Sequence, residues 1–275
     1  MIVKSDAIVL RTMKYGDTSK IVTMFTLQYG KIRCIAKGAR ASKNKFGPAL
    51  EPLQVISTVI YKKDHRELHL MTQADPLYHF RYLTTDLETL TAALSIVELV
   101  NRVIHHEEPH PALFHLVLES LRAIDAHPAA HERIVYRFQL NLSAELGFAP
   151  SLSRCGQCGT PAANIASMER VAVQIAKGFF LCPACSPSGL ANSTRPKELS
   201  EERRVSAMIS ISAECLKYLR SLVEDSLSVS SSQEVEQDVR REAGETLRLY
   251  LRYHVEGLKP LHSEQLLNSL SHQEV

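Results

Sequence analysis

Apolar positions change their spacing along the chain, and each change marks a boundary. Over the first 80 residues they fall in short runs at 7–12, 19–26, 31–37, 53–62 and 67–73, rich in Val, Ile and Thr. Such runs read as strands with one face turned to a core. Turn-forming residues separate them: Tyr15-Gly16-Asp17, Tyr29-Gly30-Lys31, a loop over 39–48 and Lys63-Asp64-His65. Five short strands with one long loop predict a small barrel. The Greek-key OB type is the economical choice, and an SH3-like barrel is the competitor that strand pattern alone does not separate from it.

From about Leu83 the period becomes helical. Leu83, Leu87, Leu90, Leu94 and Val97 form one stripe, with Thr85 or Asp86 as its start. Leu113, Leu116, Leu121 and Ile124 form a second, closed by His127-Pro128. A third helix over about 129–146 carries Ile134, Phe138, Leu142 and Leu146, and Gly147 stands where a left-handed cap belongs. Prolines and four cysteines interrupt residues 150–196. Helices resume at about 198–224 and 234–255, joined by a serine-rich linker over 226–232. The outline is an α+β multi-domain chain: an OB-type β-barrel over 1–80, helices over 81–150, a zinc-binding insert over 151–195 and a second helical part over 196–275.

Composition narrows the class. At 275 residues, 45% hydrophobic and 23% charged, the chain can bury a sizeable core. No apolar stretch is long enough to span a bilayer and no secretory leader is visible, so a cytoplasmic protein is expected. The net charge of +2 hides an asymmetry. Residues 1–80 hold 13 Lys and Arg against 6 Asp and Glu, and the remainder holds 19 against 24. Lys31, Arg33, Lys37, Arg40, Lys43 and Lys45 follow one another without an acid between them. A basic module on an acidic body points to a polyanion-binding barrel.

The cysteines carry the sharpest signal. Cys155-x2-Cys158 and Cys182-x2-Cys185, with 23 residues between the pairs, match two knuckles completing one four-thiolate zinc site. Four thiolates leave no open position for water, so one structural zinc ion is expected rather than a catalytic one. The run 172–181, with Gly178, suits a strand or hairpin beneath the metal. Cys34 and Cys215 read as small core residues.

Two other matches dissolve on inspection. His106-Glu107-Glu108-Pro109-His110 fits H-E-x-x-H, but that motif needs both histidines on one helix face, and Pro109 and Pro111 break the helix. His65-Arg66-Glu67 resembles half of a zinc deaminase motif, without the Pro-Cys-x-x-Cys partner. No phosphate-binding, dinucleotide-binding or serine-hydrolase glycine motif occurs, and no enzyme is expected.

Taken in order, Tyr15-Gly16-Asp17, Gly30-Lys31, Ala36-Lys37-Gly38-Ala39-Arg40 and Leu50-Glu51-Pro52-Leu53 resemble the N-terminal barrel of the bacterial RecO family. Arg137-Phe138-Gln139-Leu140 through Leu146-Gly147 and Pro150 into Cys155-x-x-Cys158-Gly159 resembles its central helix and zinc entry. Leu258-Lys259-Pro260-Leu261 with Ser263 resembles its C-terminal signature. The resemblance implies a DNA repair mediator that binds single- and double-stranded DNA and anneals complementary strands without ATP. It also implies contacts with the tail of single-stranded DNA-binding protein and with RecR, a link to RecA loading, and work at the nucleoid.

On that reading the expected DNA contacts are Lys31, Arg33, Lys37, Arg40, Lys43 and Lys45, with Arg11 and Lys14 outside them. Phe46 is the expected base-stacking ring, ahead of Tyr15 and Tyr29. Arg137, beside Phe138 and Leu142 and assisted by Arg133, is the expected grip for the acidic tail of the partner. A zinc-ribbon regulator and a zinc-stabilised adaptor without annealing activity are the alternatives.

Overall fold

The computed structural model describes residues 1–63, 66–105, 107–166, 169–187, 208–224 and 235–263. The linker expected at 226–232 and the first part of the helix expected from residue 198 lie outside them. Contacts divide the chain into two compact units: Met1–Val135 with the described residues from Pro260 onward, and Tyr136–Lys259.

In the first unit, β1 (Ile2–Tyr15), β2 (Ser19–Thr26), β3 (Gly30–Ala36), β4 (Val55–Tyr61) and β5 (Leu68–Pro76) close a barrel in the order β1-β2-β3-β5-β4. The antiparallel β1–β2 and β2–β3 pairs follow from tight turns, β4 pairs antiparallel with both β1 and β5, and β3 and β5 run parallel and seal the ring. This strand order is that of the OB type. Val3, Ala7, Val9, Val22, Met24, Ile32, Cys34, Ala36, Ile56, Ile60 and Met71 fill its interior. The connection after β3 forms a short 3-10 turn (Gly47–Leu50) and adds Ala39, Phe46, Ala49 and Leu50 to the same core. Burying Phe46 or Leu50 contributes about 1.5–3 kcal/mol each, enough to hold the connection down as a lid.

Two helices accompany the barrel, α1 (Leu87–Val103) and α2 (Pro111–Ala126). Asp86 caps α1 by accepting the Thr89 N–H at 2.7 Å, which selects it over Thr85 as the start. The His-Glu-Glu-Pro-His stretch is not helical where it is described, and Glu107 instead accepts from Lys62 at 2.7 Å and meets buried His69 at 2.9 Å. Gly30, at φ +64°, lies so close to this segment that a Cβ would stand 2.2 Å from the Glu108 carbonyl oxygen. Glu98 on α1 accepts the His262 and Ser263 backbone N–H groups and the Ser263 hydroxyl. Ser263 thus donates through both its backbone N–H and its hydroxyl to a carboxylate on another element.

In the second unit, β6 (Arg170–Gln174), β7 (Phe179–Leu181) and β8 (Met208–Ser212) form a sheet ordered β7-β6-β8. It packs with α4 (Ala213–Glu224) and α5 (Gln237–His254) in one apolar cluster. Residues 208–212 were expected to be helical. They pair with β6, and a period-two run beside a free strand edge takes the strand form. Helix α3 (His131–Glu145) passes through the division between the units and ends at Gly147, φ +85°. Among the described residues no helix is long and apolar enough to cross a membrane.

Burial raises the Glu98 carboxyl, but the hydrogen bonds from His262 and Ser263, together with Arg102, outweigh it and hold its pKa below the ordinary value. A lowered carboxylate stabilises the fold above its unfolded pKa, and that contribution fades as pH falls through the folded value. Urea unfolding should find Glu98→Gln about 1–3 kcal/mol less stable at neutral pH, with the gap narrowing below about pH 4. Gly30→Ala should cost about 2–4 kcal/mol at every pH, because it strains the left-handed backbone and overpacks the Glu108 backbone of the neighbouring segment.

Candidate nucleic-acid interface and four-thiol site

The barrel places its cations by strand alternation. Arg33 lies between core residues Ile32 and Cys34 and so points outward, exposed. Its register partner on β2 is Thr23, whose partner on β1 is Arg11. Arg11, Thr23 and Arg33 thus form one row across three strands, with an exposed arginine at each end. Beyond Arg11 on β1, Met13 and Tyr15 are 44% and 49% exposed. This outer surface joins positive charge to an available aromatic ring.

The β3–β4 connection adds the remaining charge. Its apolar residues are held by the core, which leaves Lys37, Arg40, Lys43 and Lys45 exposed. The Arg40 backbone N–H donates to the Thr18 carbonyl at 2.8 Å and its guanidinium to the Gly16 carbonyl at 3.1 Å. The loop is thereby tied to the β1–β2 turn, near Lys14. Lys14 stands directly opposite Lys20, a repulsive pairing that the Lys20–Glu51 ion pair at 2.7 Å relieves. Lys45 donates to the Thr72 carbonyl at 2.7 Å. Among the described residues Arg11, Lys14, Arg33, Lys37 and Lys43 have no acidic partner.

Two expected contacts are placed elsewhere. Lys31 donates to the Asn101 and Ile104 carbonyls at 2.5 and 2.8 Å, closing the C-terminus of α1. Burial and the neighbouring Arg33 lower its pKa, so it is a clasp inside the unit rather than an open phosphate contact. Phe46 is 3% exposed, within the barrel core, and offers no face to a base. Lys45 sits 5.0 Å from its ring centroid. The same correction applies on α3, where Phe138 and Leu142 are buried at 1% and 0% exposure, too deep to floor a groove for a partner. Arg133 and Arg137 on that helix are half-buried.

The four expected thiols do converge. The Sγ atoms of Cys155, Cys158, Cys182 and Cys185 all lie within 4.8 Å of one another, and Cys158 and Cys182 are 3.5 Å apart. Tetrahedral thiolates around a zinc-sized ion sit about 2.3 Å from it and therefore roughly 3.8 Å from each other. The cluster has that size, and no pair is at the roughly 2.05 Å of a disulfide. The knuckle turns on Gly159, φ +74°, whose N–H donates to the Cys155 carbonyl at 3.0 Å. Gly156 backs onto the Phe179 ring, where a Cβ would meet carbon at 2.3 Å.

Hydrogen-bond donors favour charge on Cys155 and Cys158 but not on Cys182 and Cys185. The Thr160 hydroxyl and backbone N–H, with hydrogen bonds from neighbouring thiols, draw the Cys158 thiol down to about 6. Cys185, facing Cys158 first and then burial, is pushed up to about 12. Four thiols this close cannot all ionise alone, and a divalent cation among them removes that conflict. The donor set fits a soft or borderline divalent ion.

Comparison with known proteins agrees with the arrangement. The family model described as Recombination protein O N terminal matches residues 1–80, and that described as Recombination protein O C terminal matches residues 84–199. A DNA repair protein RecO of Chloroherpeton thalassium is 30% identical over 272 residues, 98% of this chain and 99% of its own length. One of Salinibacter ruber is 39% identical over 153 residues, 56% of this chain and 59% of that protein. One of Anaeromyxobacter dehalogenans is 29% identical over 253 residues.

Stripping metal with a thiol-competent chelator should lower the melting temperature, and returning a divalent ion should restore it. Cys158→Ser should abolish the restoration while leaving the barrel unit's circular dichroism in place. A melting curve indifferent to chelator and ion would remove the cluster from metal chemistry.

Proposed function

Since the chain belongs to the RecO family of bacterial DNA repair proteins, with a role in DNA repair and recombination, we propose that it is a mediator that binds DNA backbones through its barrel and anneals complementary strands without ATP. The observation that carries the reading is the set of exposed, acid-free cations on one barrel. Arg11 and Arg33 bracket a strand row, and Lys37, Arg40 and Lys43 stand on the lid tied beside it.

Annealing requires no bond to be made or broken in either strand. Two polyanions repel, and a cationic surface that neutralises phosphates while leaving base edges free raises the rate at which correct pairs meet. Arg11, Arg33, Lys37, Arg40 and Lys43 supply that neutralisation, with Lys14 at the turn. Tyr15 replaces Phe46 as the ring on which an unpaired base rests. None of these roles needs a general base, a nucleophile or an open metal position.

The four-thiol cluster holds one structural zinc ion in this reading. Its part is to bind β6, β7 and their flanking knuckles into one folded body. Contacts with RecR and with the tail of single-stranded DNA-binding protein, and help in loading RecA, complete the proposed role. Arg137 is the residue proposed to meet a terminal carboxylate, without Phe138 and Leu142 as its floor.

Replacing Lys37 and Arg40 together with Gln should weaken binding to all sequences alike. The slope of log affinity against log salt should flatten by roughly 0.7 per lost phosphate contact on single strands. Annealing of strands coated by single-stranded DNA-binding protein should slow in parallel. An unchanged slope would take the lid loop out of the interface.

A further inference from the structure

The segment between β5 and α1 carries a cluster that the expected DNA contacts leave aside. Residues 77–82 read Leu-Tyr-His-Phe-Arg-Tyr, three aromatic rings and one arginine in six positions with no acid. The segment is pinned at both ends. The Leu77 N–H donates to the Val55 carbonyl at 2.8 Å, and the Tyr82 and Leu83 N–H groups both donate to Asp125 on α2, at 2.6 and 3.1 Å. Leu83 is buried just beyond. A loop anchored this way holds its middle residues without a strand or helix to do so.

Those residues are arranged for stacking. The Tyr78 and Phe80 rings lie 6.1 Å apart at 19°, nearly parallel. The Arg122 guanidinium stands 4.1 Å from the Tyr78 centroid. Tyr82 is 50% exposed and Leu77 44%, and His79, Arg81 and Arg122 are exposed as well. Packing alone would account for parallel rings under an arginine. It does not account for Leu77, Arg81, Tyr82 and Arg122 left open around the half-buried Tyr78 and Phe80 rings, where Asp125 is already taken by two N–H groups and Glu119 on the same helix is exposed.

We infer that Tyr78, Phe80 and Arg122, with Tyr82 and Arg81 beside them, form a second platform on which unpaired bases of a single strand stack. The inference rests on the nucleic-acid reading above and adds strand selectivity to it. A column of near-parallel rings is a ready-made continuation of a base stack, and the surrounding cations suit the phosphates that accompany each base. Bases of a duplex are stacked on one another and cannot reach the rings, so the platform favours single strands. It is also placed to be continuous with the lid. Leu77 bonds to the first residue of β4, and the residues just before it, Leu53 and Gln54, bond to Val9 at the barrel end the lid closes.

The test is the binding of a labelled oligothymidylate and of a duplex of equal length to the full chain, across a range of salt. The double variant Tyr78→Leu, Phe80→Leu should lose single-strand affinity about tenfold or more. Duplex affinity and the salt slope of both should stay as in the wild type, and Tyr78→Phe should keep single-strand affinity. Equal loss on both DNAs, or no loss on either, overturns the platform and leaves the rings as packing or as a protein-contact surface. Tyr82→Leu, at a half-exposed ring, gives the same reading without disturbing the fold. Photocrosslinking of an iodouracil oligonucleotide to the wild type should map to residues 77–82, and crosslinks found only elsewhere overturn the platform. A wild type that binds neither DNA overturns the underlying reading itself.

Discussion

Closure of the barrel by the parallel pairing of β3 and β5 is the constraint from which the rest of the first unit follows. Parallel neighbours cannot be joined by a tight turn, so the chain must leave β3, cross one end of the barrel, lay down β4 and only then return as β5. The crossing becomes a lid because Ala39, Phe46, Ala49 and Leu50 enter the core. Lys37, Arg40, Lys43 and Lys45, interleaved with them, have nowhere to go but outward. The positive surface is therefore a by-product of how the ring is sealed, and it stays put because apolar residues underneath hold it.

Carboxylates serve a different purpose in this chain. Glu98 gathers the N–H groups of the returning C-terminal segment, Glu107 joins Lys62 to buried His69, and Glu242 receives Arg170 and the Ser212 backbone. Each acid is committed to its own unit, as is Lys31 at the end of α1. The cations of the lid and of the Arg11–Arg33 row are spared such pairing. That division of labour gives the barrel a free positive face although the whole chain is nearly neutral.

The second unit gathers its four sulfurs beside its shortest strand. β7 is only three residues long, and the knuckle that precedes the sheet is held by Gly156 against Phe179 and by the Cys155 N–H to the Thr160 carbonyl. Short strands with few partners gain little from pairing alone. Around them the chain is tied by contacts far apart in sequence: the Tyr250 hydroxyl donates to the Phe148 carbonyl at 2.6 Å, and His254 stacks on Phe148 at 4.8 Å and meets the Ile175 carbonyl. A metal ion among four thiolates would tie the two knuckles together at the edge of the apolar cluster that Cys155 and Cys182 already join.

The strand runs, the helix stripes with a start at Thr85 or Asp86, the glycine after α3 and the paired cysteines were all legible in the linear chain, because each is set by neighbours within a few residues. So was the excess of positive charge in the first 80 residues. Tertiary structure alone decided which of those charges are available. Lys31 and Arg33 stand two residues apart on one face of β3 and look alike in sequence, yet one is drawn under the end of α1 and the other stays exposed. Phe46 sits among lysines, as a stacking residue would, yet the closing lid takes it inside. Residues 208–212 become a strand because β6 offers an edge, and Tyr78 and Phe80 align because Val55 and Asp125, distant in sequence, pin their segment. Periodicity reports which side of an element is apolar; what covers that side depends on contacts between residues far apart along the chain, and only the folded structure contains them.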